Sequence, residues 1–69
     1  MNAQIRLLDV VALTEDIPHR SLHRGQVGIV VESLGPGVSA VEFVDNDGRT
    51  YATVPLYARQ LLVLHDQPT

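Results

Sequence analysis

Residues 25–33 constrain the fold of this chain more than any other segment. They include three β-branched residues in succession, which favour an extended strand because their stiff side chains pack well on a pleated surface. With the period of two of a strand, Val27, Ile29 and Val31 share one face, and we expect that face to point into a core. Gly28 lies within the strand, where a missing side chain allows a bend or the close approach of another backbone.

Four other segments are predicted to form strands because they are rich in apolar residues and bounded by turn residues. They are residues 7–13, 38–44, 49–54 and 59–64. Residues 34–37 supply a Gly-Pro-Gly turn, and the Asp47-Gly48 pair closes a hairpin. Residues 55–58 begin with proline and suit one turn of 3-10 helix before the last strand.

The apolar pattern also predicts which other side chains meet in the core. Val41 and Phe43 share one face of their strand and are expected to be buried. Residues 14–24 have no sustained period, so we predict a long first loop there. Its apolar members, Ile17 and Leu22, are expected to lie on the core while the polar tip faces water.

This order of elements predicts an all-β fold, a small five-stranded SH3-like barrel with a long first loop and a 3-10 turn before the last strand. Pairing of the first and last strands would cover edges that otherwise invite aggregation. We expect residues 7–64 to form the barrel, residues 1–6 an N-terminal extension and residues 65–69 a flexible C-terminal tail.

Length, charge and cysteine content bound what the chain can do. With 69 residues and no cysteine it forms no disulfide, which fits a cytoplasmic location, and it shows no signal-peptide pattern and no long apolar run. A formal charge of −3, with arginine but no lysine, disfavours binding to nucleic acid. The stability of so small a core is marginal, so self-association would help.

Few residues are arranged for chemistry. His19 and His23 have the spacing of metal ligands on one helix face, with Asp16 nearby, but Pro18 favours a loop and no metal site is predicted. Asp9 interrupts an apolar strand without a second group set against it, so we expect it to face outward or to accept hydrogen bonds. No catalytic residue and no cofactor are predicted, and the chain is not expected to be an enzyme.

Exposed aromatic and basic side chains are the best candidates for contacting a partner. Tyr57 is placed beside the groove of an SH3-like barrel, and rings with a polar tip are favoured at interfaces. The first loop adds arginines that can pair with carboxylates or phosphates. The predicted partner-binding residues are Arg20, His23, Arg24, Tyr51 and Tyr57.

Four strings of the sequence resemble an uncharacterised family of short bacterial SH3-like barrel domains, a domain of unknown function. The strings are LDVVAL at 8–13, GQVGIVVE at 25–32, VEFVD at 41–45 and DGRTYA at 47–52. The resemblance covers residues 8–64 and implies a stand-alone SH3-like domain, some members of which lie in small gene pairs of the toxin and antitoxin kind. It implies no catalytic residue.

Residues 25–37 also resemble the KOW motif of ribosomal and transcription-factor barrels, in which a Gly-rich strand and turn pack against RNA or protein. The function we expect is a non-catalytic module that binds a specific protein partner, encoded by a neighbouring gene, as an antitoxin-like or accessory protein. Two alternatives stay open, a KOW-like nucleic-acid-binding module and a self-associating structural barrel.

Overall fold

The computed structural model describes residues 5–45 and 47–64. Within these ranges it contains five β-strands and two short turns of 3-10 helix. The strands are β1 (Val10–Leu13), β2 (Val27–Gly35), β3 (Val38–Val44), β4 (Thr50–Tyr57) and β5 (Leu61–Val63). The first 3-10 turn (Pro18–Arg20) lies between β1 and β2, and the second (Ala58–Gln60) lies between β4 and β5.

The strands pair antiparallel in the order β4-β3-β2-β1-β5. The predicted all-β class, the five strands, the 3-10 turn before the last strand and the pairing of the first strand with the last are confirmed. In the ranges described, no helix is long and apolar enough to cross a membrane. The predicted tail at residues 65–69 lies outside the described residues, as does most of the predicted N-terminal extension.

All five strands contribute side chains to one hydrophobic core. Its buried members are Val11, Leu13, Ile17, Leu22, Val30, Val41, Phe43, Val54, Leu56 and Leu61, and Ile5 packs against them. The two edge strands, β4 and β5, are joined by only the three residues of the second 3-10 turn, so the sheet curls around these side chains. The first loop completes the cover with Ile17 and Leu22, as predicted.

Gly28 lies where β2 and β3 approach each other closely. It pairs with Phe43 across β2 and β3, on the inner face of the sheet. A methyl group on Gly28 would lie 2.8 Å from the carbonyl oxygen of Glu42, 2.8 Å from Cγ1 of Val41 and 3.1 Å from Cδ2 of Phe43. The predicted close approach at Gly28 is confirmed. Gly28 is therefore one of the residues of β2 that face inward.

The predicted inward face of β2 is wrong. Val27, Ile29 and Val31 are exposed (48%, 40% and 37%), whereas Val30 is only 2% exposed. Since side chains alternate along a strand, placing Gly28 on the inner face sends its odd-numbered neighbours outward. The side chains expected in the core therefore form part of the surface.

The first strand is shorter than predicted because a turn precedes it. The backbone N–H of Asp9 donates to the carbonyl of Arg6 at 3.1 Å, and Leu8 has a left-handed φ of 71°. The Asp9 carboxylate in turn accepts the N–H of Arg6 at 2.8 Å, which confirms the expected hydrogen-bonding role. The regular pairing starts only at Val10.

The strand β4 is longer than predicted and displaces the helical turn. It continues through Pro55 to Tyr57, so the 3-10 turn covers Ala58–Gln60 instead of residues 55–58. A proline is compatible with this strand because β4 lies at an edge of the described sheet. The final strand is correspondingly shorter.

The substitution Gly28→Ala tests the close approach of β2 and β3. We expect it to lower the free energy of unfolding by about 2–3 kcal/mol, because the backbone carbonyl that the new methyl group meets cannot move aside cheaply. Thermal or urea unfolding measures the loss, which for a domain of this size corresponds to about 4–8 °C in melting temperature for each kcal/mol.

The control is Gly37→Ala, where nothing lies within 4 Å of the added atom but φ is 73°. We expect this control to lower the free energy of unfolding by about 1 kcal/mol, which is the cost of backbone strain alone. A Gly28→Ala protein as stable as the wild type would contradict the packing described here.

Candidate partner-binding site

The first loop is fixed to the core by a short bridge. Ile17 and Leu22 pair antiparallel, with N–H···O distances of 2.9 and 3.2 Å between their backbones, and both side chains are buried. Between them the chain makes the turn Pro18–Arg20, followed by Ser21 with a φ of 57°. This helical turn was not predicted from the sequence. It presents its side chains to solvent from an anchored base.

Further hydrogen bonds hold both arms of the loop. The Asp16 carboxylate accepts the backbone N–H of Arg24 at 2.8 Å, which joins the outgoing and returning arms. The hydroxyl of Thr14 donates to the carbonyl of Arg59 at 2.9 Å, which joins the loop to the second 3-10 turn. A carboxylate that accepts backbone N–H groups makes a comparatively strong, charge-assisted bond. The loop is thus tied down at its base.

A cleft of about 390 Å³ separates the first loop from the end of β4. We call it the loop cleft. Its loop side is lined by Glu15, Asp16, Ile17, Pro18, His19 and Arg20, and its other side by Val54, Pro55, Leu56, Tyr57 and Gln60. Ile17, Val54 and Leu56 are buried and form an apolar base, whereas the exposed lining residues include the charged Glu15, Asp16 and Arg20.

Gln60 connects the two sides of the loop cleft. Its side-chain oxygen accepts the backbone N–H of Tyr57 at 2.9 Å, and its Nε2 donates to Oε2 of Glu15 at 3.0 Å. In a helical N-terminus, a side chain three residues along often accepts the backbone N–H of the residue that precedes the helical turn. Tyr57 and Gln60 have this spacing. This spacing is the one sequence signal that could have identified Gln60.

Tyr57 is the principal exposed aromatic side chain of the loop cleft. It is 53% exposed. The guanidinium carbon of Arg59 lies 4.7 Å from the centre of its ring, a cation–π contact that orients the ring. An oriented, exposed ring loses little conformational entropy when a partner covers it.

The structure groups the predicted partner-binding residues around the first loop, but only two of them line the cleft. These two are Arg20 and Tyr57. Tyr51 is 48% exposed and lies against the loop, where its hydroxyl donates to the carbonyl of Ser21 at 3.3 Å. His23 and Arg24 are exposed on the returning arm and are not among the residues that line the cleft.

The charged groups of the described residues all lie at the surface. No polar or charged residue is buried in residues 5–45 and 47–64, and no three His, Asp or Glu side chains there are close enough to hold a metal ion. A second cleft of about 400 Å³ at the turn between β2 and β3 is lined by Ile5 and smaller residues, with Ser33 and Ser39 as its hydroxyl groups. Neither cleft presents a buried titratable pair.

Exchanging the partners of the Gln60–Glu15 hydrogen bond tests the wall of the loop cleft. Gln60→Glu places two carboxylates together, so we expect it to lower the free energy of unfolding by about 0.5–1 kcal/mol at pH 7. The double variant Glu15→Gln with Gln60→Glu restores one donor and one acceptor. We expect it to recover most of the stability in urea unfolding, and a double variant as unstable as Gln60→Glu would contradict the contact.

Comparison with known proteins places the chain in a family. No curated protein and no solved structure matches it. The family model described as "Domain of unknown function (DUF4926)" matches residues 7–63, which include all five strands and both walls of the loop cleft. The match covers most of the chain, and the chain belongs to this family of domains of unknown function, DUF4926.

Proposed function

We propose that the chain is a non-catalytic protein-interaction module that binds a specific protein partner in the loop cleft. The proposed partner is a cytoplasmic protein encoded by a neighbouring gene. In this small gene pair, the module is the antitoxin-like or accessory member. The observation that carries the proposal is the loop cleft itself, a concave surface with an apolar base, an exposed ring at Tyr57 and a charged rim. An apolar centre with an exposed aromatic ring and a polar rim is the arrangement found at protein–protein interfaces.

The charges of the rim favour a protein over a nucleic acid. Glu15 and Asp16 stand on the same side of the cleft as Arg20. A phosphate backbone would be repelled by these two carboxylates, whereas an extended peptide segment can pair with groups of both signs. The absence of lysine and the net charge of −3 act in the same direction.

Two further observations support the proposed kind of module. Catalytic carboxylates and imidazoles usually depend on burial or on a close charged partner, and no charged residue is buried among those described. The strand order β4-β3-β2-β1-β5, with a helical turn between β4 and β5, supports our proposal that the fold is of the SH3-like type. A curled sheet with a long first loop provides a rigid base for such a cleft.

The proposal is tested by measuring the binding of the purified neighbouring gene product to the wild-type chain and to two cleft variants. We expect Tyr57→Ala and Arg20→Ala each to weaken the affinity about tenfold or more, because truncating an anchoring aromatic or arginine commonly removes a large part of the binding energy. Isothermal titration measures the change.

The matched control is Leu34→Ala, which removes an apolar side chain that is 48% exposed, against 53% for Tyr57, and lies outside the loop cleft, so it should leave the affinity unchanged. Equal affinities for all four proteins would contradict the assignment of the cleft. A pull-down from the native host with the wild-type chain tests the nucleic-acid alternative. Recovery of RNA alone, with an affinity that falls steeply as the salt concentration rises, would favour it.

A further inference from the structure

The outer face of the sheet carries a continuous apolar surface. The strand register places Val10 beside Ile29 and sets Ala12 between Val27 and Leu62. The N–H of Leu64 donates to the carbonyl of Val10 at 2.8 Å, so Leu64 continues the row of Val10 and Ile29. We call Val10, Val27, Ile29, Leu62 and Leu64 the outer apolar patch.

The area of this patch is large for so small a protein. Each of its five members is at least 37% exposed, and Leu62 is 58% exposed. Together with the flanking Leu8 and Val31 they leave roughly 500 Å² of apolar surface in contact with water, which is near the upper end of what monomeric proteins expose. A standard interface buries about 800 Å² on each partner, of which about two thirds is apolar in homodimers. The patch therefore supplies the apolar share of a dimer interface.

Leu8 gives an independent indication that this surface is used. Its N–H donates to the carbonyl of Val30 at 2.7 Å, beside the patch, and its side chain is 70% exposed. Its φ of 71° costs a residue with a β-carbon about 1 kcal/mol, a strain that glycine or asparagine would relieve. The Leu8 side chain is not part of the hydrophobic core.

We propose that the outer apolar patch is the interface with a second copy of this chain, packed face to face. In a two-fold symmetric contact a residue near the axis meets its own counterpart, so a charged side chain there would meet a like charge. The five patch residues carry no charge, Glu42 on β3 being the carboxylate beside Ile29 on this face, and branched side chains on two sheet faces interdigitate well. A second copy also adds the apolar burial that a 69-residue chain lacks.

This interface is distinct from the site of the proposed function. The outer apolar patch shares no residue with the loop cleft, so a dimer would present two clefts. Failure of one proposal therefore leaves the other standing, because cleft variants report on the partner and patch variants report on self-association.

Sedimentation equilibrium of the full chain over a wide concentration range tests the dimer. We expect the wild-type chain to dimerise with a dissociation constant of about 1–100 µM, and Ile29→Lys to weaken association at least tenfold. Ile29 pairs with Glu42, so the ammonium group introduced by Ile29→Lys would face the Glu42 carboxylate across the strands. We therefore expect the fold to tolerate this substitution. The control Leu34→Lys adds the same charge at an exposed position outside the patch.

A second variant, Leu8→Asn, separates association from folding. We expect it to weaken dimerisation several-fold while the melting temperature of the dilute monomer is unchanged or higher, because it relieves the left-handed strain. Circular dichroism confirms that each variant is folded.

Two outcomes overturn the proposal. A wild-type chain that stays monomeric up to about 1 mM refutes the dimer. The dimer is refuted in the same way if the chain is monomeric and the patch binds a different protein. A dimer that Ile29→Lys and Leu34→Lys affect equally refutes this face as its interface.

Discussion

The close approach of β3 to Gly28 determines which face of β2 is buried. The carbonyl oxygen of Glu42, Cγ1 of Val41 and the ring of Phe43 occupy the space that a side chain on Gly28 would need on the inner face of β2, so only a glycine fits there. Alternation then buries Val30 and turns Val27 and Ile29 to the outside. One close approach thereby accounts for the composition of the core and for the apolar outer surface.

Much of the fold could be predicted from local residue patterns. The strand at 38–44 and the burial of Val41 and Phe43 followed from alternation, and the turns followed from glycine and proline. The face of β2 could not be predicted in this way, because both of its faces carry branched apolar residues. Counting hydrophobic residues favours the face without the glycine, and only the partner strand β3 reveals which face has room.

The candidate site was predictable to a smaller extent. Arg20 and Tyr57 were selected by residue type and by their expected positions, and they line the same cleft. Gln60 has a local signal in its spacing from Tyr57, but its contact with Glu15, which is 45 positions away in the chain, has none. Contacts of this kind arise from the curling of the sheet, which brings the first loop against the second 3-10 turn, and no local pattern encodes them.

The bridge between Ile17 and Leu22 makes the loop cleft and the hydrophobic core parts of one structural unit. Substitutions at the base of the cleft would disturb the packing of the core, so we expect the residues of the base to vary little between related domains. Diversity between related domains would then accumulate in the solvent-facing turn Pro18–Arg20, whose side chains change at little energetic expense.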